Sequence, residues 1–376
     1  MACLVLTTFL ISCKDNDDAP ATVTPAATTA AQDKGNVEAS IDLVADDAVA
    51  ILKTEGVKAM GTLVSKMDKS PAFGKQASLS TQIGAKVKGA IMRVAGVFHY
   101  KSKSSAKTAE AGLFDFAGNV GTYTWNFYTK AWDSTKGTPS DKVILNFPSD
   151  STGTVNNAQI TITTYTENSF PGKEGEESKY VPTRLVANLT IDATTFASVD
   201  YTGTFNSDGG PVAINLNLFV KPFTLAIAMN NQTTTVTADL SLSKEGETAK
   251  IVALNGTLVF VDATQKDIKT VEANLSLKQL NLKGNANVAA IQAAEHGGDN
   301  IALLNDNIKL AISHTGTKIG DLKFVTALDS SGMEQTQAVI LFSKDNTTVK
   351  AETYFEKLGD KIKKQIEESG FDFGKK

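Results

Sequence analysis

Cysteine and histidine, two residue types often used in covalent and acid–base chemistry, are scarce in this chain of 376 residues. The two cysteines, Cys3 and Cys13, both lie near the N-terminus, so the rest of the chain has no thiol nucleophile, disulfide or cysteine-ligated metal. The three histidines, His99, His296 and His314, are far apart in sequence, and no serine lies in a Gly-x-Ser-x-Gly turn. Because no nucleophile is paired with a base, we predict a protein that is not an enzyme and holds no cofactor.

A second group of residues, Asp299, Asn305, Asp306 and Asn307, carries oxygen atoms of the kind that calcium binds. Their spacing matches no calcium-binding loop, so the sequence predicts no metal site. No two carboxylates are marked as the acid and base of a glycoside hydrolase, which leaves a glycan-acting enzyme as a distant alternative. The net charge of −4 gives no reason to expect the basic surface that nucleic acid needs, and we expect no nucleic-acid partner.

The N-terminus carries a motif with a defined chemistry. An apolar run over residues 3–11, too short to cross a bilayer as a helix, ends in Leu10-Ile11-Ser12-Cys13. This sequence resembles the lipobox of bacterial lipoproteins, and the resemblance implies cleavage before Cys13 and a lipid on its sulfur. No basic residue precedes the apolar run, which leaves open whether Met1 is the true start. The alternative is a buried N-terminal strand with an incidental cysteine.

The residues directly after Cys13 are acidic. Lys14, Asp15, Asp17 and Asp18 form a run similar to the surface-export signal of Bacteroidetes lipoproteins. The resemblance implies a protein that is lipid-anchored in the outer membrane and exposed at the cell surface. A plain solvated tether is the alternative interpretation of the acidic run.

The composition after the lipobox predicts the domain organisation. Residues 19–37 are rich in Ala, Thr and Pro and almost free of large apolar side chains, so burial cannot offset the entropy of ordering them. We expect a signal peptide over 1–12, a lipidated flexible tether over 13–37, and a single β-rich domain with packed helices over 38–376.

Alternation of apolar and polar residues dominates the chain after about residue 120 and predicts strands with one buried and one solvent-facing side. The links between them are short and rich in Gly, Asn and Asp, which favours antiparallel neighbours. The fold class is therefore mainly β (α+β), with a large antiparallel meander sheet that is curved or partly closed. A shift of the alternation after Leu277 predicts a bulge near Lys278 and Gln279.

Helices are expected at both ends of the chain and once between strands. A helical period begins at Asp46 or Asp47, either of which is a suitable N-cap, and a second N-terminal helix is predicted over 78–88. Residues 91–100 favour a strand. A short helix is predicted over 288–296, and an amphipathic C-terminal helix over 352–368.

Some surface residues suggest contacts with glycans. Tyr123, Trp125 and Trp132 are either core aromatics of the first hairpin or a platform for stacking sugars. The segments 133–135 and 150–152, both Asp-Ser-Thr, resemble acceptors for O-linked glycans on exported Bacteroidetes proteins, which makes Ser134 and Ser151 candidate glycosylation sites.

Two functional classes follow from these features. In the first, the chain is a lipid-anchored binding module whose apolar sheet face encloses a lipid or another hydrophobic ligand. In outline only, that shape resembles the lipoprotein carriers of the LolA and LppX type. In the second class, the apolar face is a filled core and the chain is a structural or adhesive surface protein. A cavity distinguishes the first class from the second.

Overall fold

The computed structural model of this protein describes residues 28–68, 115–170, 179–294, 300–328, 332–354 and 356. The predicted signal peptide, the lipobox with the acidic run, the helix over 78–88 and the strand over 91–100 lie outside the described residues. So does the C-terminal helix beyond residue 356, although residues 351–354 and 356 are helical.

Sixteen strands make one open sheet of mostly antiparallel neighbours, as the alternating pattern predicts. They are β1 Gly121–Asn126, β2 Ala131–Lys136, β3 Val143–Phe147, β4 Ala158–Phe170, β5 Lys179–Ile191, β6 Thr194–Phe205, β7 Pro211–Val220, β8 Phe223–Asn231, β9 Thr235–Lys244, β10 Val252–Phe260, β11 Ile268–Leu277, β12 Leu280–Asn287, β13 Ile308–His314, β14 Thr317–Leu328, β15 Glu334–Phe342 and β16 Thr348–Lys350. The strand order is β16 to β3 in sequence, followed by β1 and β2, and β1 pairs with β3 in parallel. The order is not closed, because β16 and β2 are its two end strands.

Besides the helical residues near 351 and a short 3-10 helix, Ala117–Asn119, four α-helices accompany the sheet in the described residues: α1 Ala30–Leu52, α2 Glu55–Asp68, α3 Val288–Ala293 and α4 Ile301–Asn307. Both short helices have an asparagine as N-cap. The side chain of Asn287 accepts a hydrogen bond from the backbone N–H of Ala290, and that of Asn300 accepts one from the backbone N–H of Leu303. The helix predicted over 288–296 thus ends at Ala293, and α4 was not predicted.

The chain divides into two compact units, and the single domain expected over 38–376 stays a prediction. Among the described residues, the first unit comprises those up to residue 50 and from 229 onward, and the second comprises those from 51 to 228. The boundary between Ala228 and Met229 falls inside strand β8.

Helix α1 corrects the prediction of a tether that reaches residue 37. It begins at Ala30, after a reciprocal pair of hydrogen bonds in which Gln32 N donates to Thr29 Oγ1 and Thr29 N donates to Gln32 Oε1. Val37 and Ile41 are buried one turn apart. The free energy gained by burying them offsets the entropy lost when this segment becomes ordered, which composition alone did not lead us to expect. The predicted N-cap residues Asp46 and Asp47 lie inside the helix.

Lys278 and Gln279 form a hairpin turn, so the bulge predicted there is wrong. Leu277 pairs directly with Leu280, and Lys278 has a positive φ of 53°, as tight two-residue hairpins require. The shift of the alternation arises because the chain reverses direction and the next strand keeps its own leucines on the same face.

In the second unit, α2 packs on β6 and on the turn after β3. The carbonyl oxygen of Phe196 lies 3.1 Å from the position that a Cβ atom on Gly56 would take. Farther along α2, Thr62 donates to the Ser149 carbonyl at 3.2 Å and Lys66 donates to the Ser151 carbonyl at 3.0 Å. A glycine at position 56 therefore allows a close approach of helix and strand.

Candidate functional site

The apolar face of the first unit contains a strip that is only half-buried. One row of paired side chains crosses five strands: Leu240 on β9, Leu254 on β10, Leu275 on β11, Leu282 on β12 and Ile312 on β13. The last three are buried, whereas Leu240 and Leu254 are half-buried. Burial of this face therefore decreases between β11 and β10.

The half-buried strip, hereafter the β9–β10 strip, consists of four cross-strand pairs. They are Val236 with Leu258, Ala238 with Gly256, Leu240 with Leu254, and Leu242 with Val252. All eight residues are half-buried. Successive pairs on one face are about 6.8 Å apart, so the four pairs span about 20 Å along the strands.

The middle of the β9–β10 strip is formed by small residues. Ala238 and Gly256 face each other, with larger aliphatic side chains on either side along both strands. The side chains of this pair therefore occupy less volume than those of the neighbouring pairs.

Helix α1 is fixed at its C-terminal part by a group of ion pairs. Asp47 contacts Lys278 at 2.7 Å and Lys244 at 3.3 Å, and Glu247 contacts Lys278 at 2.6 Å. Burial lowers the pKa of Lys278, but hydrogen bonds to Asp47 and Glu247 outweigh that effect and leave the pKa raised. Lys278 is therefore held in its charged form although only 13% of its side chain is exposed.

A second set of ion pairs fixes the N-terminal part of α1. The carboxylate of Asp33 is fully buried and lies 3.0 Å from Lys344, in the turn between β15 and β16. Next to it, Lys34 pairs with Asp345 at 3.0 Å. Hydrogen bonds from the side chain and backbone of Thr347, and then from Lys34, lower the pKa of Asp345 to about 2.

The spacing of the two anchors matches the geometry of the sheet. Asp33 and Asp47 are 14 residues apart (47 − 33), which is about 21 Å along a helix. Their partners Lys278 and Lys344 lie in hairpin turns separated by four strand spacings, or about 19 Å. Helix α1 thus lies across the end of the sheet at which turns connect β11 to β12 and β15 to β16. Asp33 and Asp47 hold the helix in that position.

The structure accounts for several residues that the sequence singles out. Asn305 Oδ1 accepts from the backbone N–H of Phe324, and Asn307 donates to the Leu303 carbonyl, so neither amide is arranged around a metal position. Within the described residues, no three His, Cys, Asp or Glu side chains are placed to hold a metal ion. His314 is half-buried at the end of β13, and His99 and His296 lie outside the described residues.

The aromatic residues of the first hairpin belong to the core. Tyr123, Trp125 and Trp132 are buried, and the two indole rings meet edge to face with centroids 5.7 Å apart. The stacking platform considered for these three side chains is therefore wrong, because none presents its ring to solvent. Tyr128, in the turn between them, is 97% exposed.

The candidate modification residues are placed differently. Ser134 is exposed on the end strand β2, and Ser151 is exposed in the turn after β3. The candidate lipidation residue Cys13 and the export residues Lys14, Asp15, Asp17 and Asp18 lie outside the described residues. Among the helices that are described, none is long and apolar enough to cross a membrane.

Comparison with known proteins identifies no relative: no protein-family model, curated protein or solved structure matches this chain. The fold and the β9–β10 strip are therefore the basis for any functional argument.

Proposed function

We propose that this chain is a lipid-anchored cell-surface protein whose first unit binds a hydrophobic ligand on the β9–β10 strip. The observation that supports the proposal is the decrease in burial along one apolar row, from Leu275 on β11 to Leu254 and Leu240. Aliphatic side chains left partly in water gain free energy when a ligand covers them, at about 25 cal/mol per Å² of apolar surface.

The dimensions of the strip favour a linear aliphatic ligand. A length of about 20 Å suits an extended fatty acyl chain, and the small residues Ala238 and Gly256 suit its narrow width. The strip itself carries no charged side chain, so it offers contact rather than hydrogen bonding to the ligand.

The ligand is tested with the full chain carrying Cys13→Ser, which removes the proposed site of covalent lipid. Native mass spectrometry and lipid extraction then report only non-covalent lipid, and titration with palmitic acid reports affinity. We expect one bound lipid, and a large loss of binding when Leu240 and Leu254 are both replaced by Lys.

The matched control is the double replacement of Thr237 and Thr257 by Lys. These two residues pair with each other on the same two strands but on the opposite face. The proposal requires that the control variant retains binding. A chain that carries no lipid and does not bind palmitic acid favours the alternative, a structural or adhesive surface protein with a filled core.

The lipid anchor rests on the resemblance of Leu10-Ile11-Ser12-Cys13 to a lipobox and has its own test. Cys13→Ser should abolish both cleavage and membrane attachment, and an unchanged membrane fraction would refute the anchor. Replacing Asp15, Asp17 and Asp18 by Ala should keep the anchor but reduce digestion by protease added to whole cells. Unchanged digestion contradicts surface export by the acidic run.

A further inference from the structure

Two buried polar atoms near Trp125, in the second unit, have no hydrogen-bond partner. The indole N–H of Trp132 has no acceptor, although the residue is only 6% exposed, and Oδ1 of Asn156 has no donor. The third such atom in the described residues, Asp33 Oδ2, is accounted for by Lys344 at 3.0 Å. An unsatisfied buried polar group destabilises the folded chain, so a pair of them requires a reason.

Both atoms belong to side chains that touch Trp125. Trp132 is its direct cross-strand partner, with ring centroids 5.7 Å apart, and Asn156 Nδ2 donates to the Trp125 carbonyl at 2.8 Å. Lys66 lies over the ring of Trp125 at 5.4 Å from its centroid. The donor-bearing Trp132 and the cation of Lys66 thus lie at the indole of Trp125, and the amide of Asn156 lies at its backbone carbonyl.

The strand pairing brings two exposed turns to the same place. Because β1 and β3 are parallel neighbours, the turns that follow them leave the sheet at the same end. The turn after β1 carries the exposed ring of Tyr128, and the turn after β3 carries the exposed Val155 just before Asn156. This end therefore combines unsatisfied polar atoms with exposed apolar and aromatic surface.

We propose that this end of the second unit is a binding subsite for a neutral saccharide. One sugar hydroxyl accepts from Trp132 Nε1 and donates to Asn156 Oδ1, and the ring of Tyr128 packs against a sugar face. An anion offers no proton to Asn156, and a metal cation offers no acceptor to Trp132, whereas a hydroxyl offers both. The subsite lies in a different unit from the β9–β10 strip and does not depend on a lipid ligand.

The chain has only two tryptophans, and both are at the subsite, so their signals report on it directly. The full chain with ¹⁵N-labelled tryptophan gives two indole N–H peaks in an NMR spectrum. These peaks are followed while maltohexaose, cellohexaose or chitohexaose is added. The titration continues to about 10 mM sugar, a concentration at which weak sites saturate. We expect one sugar to move the Trp132 peak along a saturable curve.

Trp132→Phe keeps an aromatic ring in the core but removes the N–H group, and it should weaken sugar binding about fivefold, the loss expected for one neutral hydrogen bond. Tyr201→Phe, which removes a buried hydrogen-bond donor elsewhere in the second unit, is the control and should bind like the parent chain, with the Trp132 peak still responding. The wild-type titration stands alone if a variant fails to fold. The proposal is overturned if no sugar moves the Trp132 peak, or if that N–H shows contact with a long-lived buried water throughout the titration.

Discussion

The side-chain amide of Asn305 bonds to both backbone groups of Phe324. Asn305 Oδ1 accepts from Phe324 N at 2.9 Å, and Asn305 Nδ2 donates to Phe324 O at 2.8 Å. The pairing of β14 with β13 ends at Asp321 with Ala311, so the next part of β14 lacks a strand on that side. A side chain from α4 therefore takes the place of a strand and satisfies the edge of β14.

The first prediction concerns this contact. Asn305→Ala leaves both groups of Phe324 without their partner and should lower the free energy of unfolding by about 1–3 kcal/mol. Urea unfolding measures the loss, and hydrogen exchange of the Phe324 amide should become faster. Asn307→Ala is the control, since Asn307 makes one bond to Leu303 within the same helix. Equal losses in the two variants would contradict the special role of Asn305.

The second prediction concerns the anchoring of α1 by Asp47. Asp47→Ala leaves Lys278 with Glu247 as its remaining partner, in a place where little of the lysine is exposed. We expect a loss of about 1–3 kcal/mol in the free energy of unfolding, because one partner of a largely buried pair is removed. Glu55→Ala, which breaks an exposed pair with Lys58, should cost less than about 0.5 kcal/mol. Similar costs would show that Asp47 does not hold the helix.

The sequence predicts the strands well because their rule is local. Alternation of side chains identifies a strand and its apolar face wherever one face is buried, and the runs at 185–191, 236–242 and 271–277 are all strands. The same alternation is found on β9 and β11, although β9 is half-buried and β11 buried. The extent to which the apolar face of a strand is buried depends on the elements that pack on it. Alternation within the strand does not contain that information, so the sequence did not locate the β9–β10 strip.

The sequence at the start of α1 contains a helix-capping pattern, which the prediction of a tether from composition did not take into account. Thr29 followed by Gln32 has the spacing of a capping box, and Val37, Ile41 and Val44 follow at helical intervals. By contrast, nothing in the sequence pairs Asp47 with Lys278 or Trp125 with Asn156. These residues are brought together only by the order of the strands.

The third prediction compares two glycines in helices. Gly35→Ala in α1 places the new Cβ where no atom lies within 4 Å, so it should stabilise the chain by about 0.5–1 kcal/mol through helix propensity. Gly56→Ala in α2 should instead destabilise it by about 1 kcal/mol. The new Cβ would lie 3.1 Å from the Phe196 carbonyl, which is held in place by a bond from Lys221 N. Thermal unfolding of both variants checks the opposite signs, and a stabilising Gly56→Ala would contradict the close packing of α2 on β6.

The last prediction concerns alkaline pH and the buried Tyr201, whose hydroxyl donates to the Pro182 carbonyl at 3.2 Å. Burial raises its pKa from 10.0 to about 12. Between these values the unfolded chain has lost the proton that the folded chain keeps, so the free energy of unfolding falls as the pH rises from about 10 towards 12, by about 2 kcal/mol. Tyr201→Phe should start about 1 kcal/mol less stable at neutral pH, because it lacks the bond to Pro182, but its stability should fall less above pH 10. Urea unfolding of both chains at about pH 8 and about pH 11 separates the two effects. If the free energy of unfolding falls equally in both chains, the alkaline loss belongs to other groups. Tyr123 and Tyr354 are such groups, because burial raises their pKa values too.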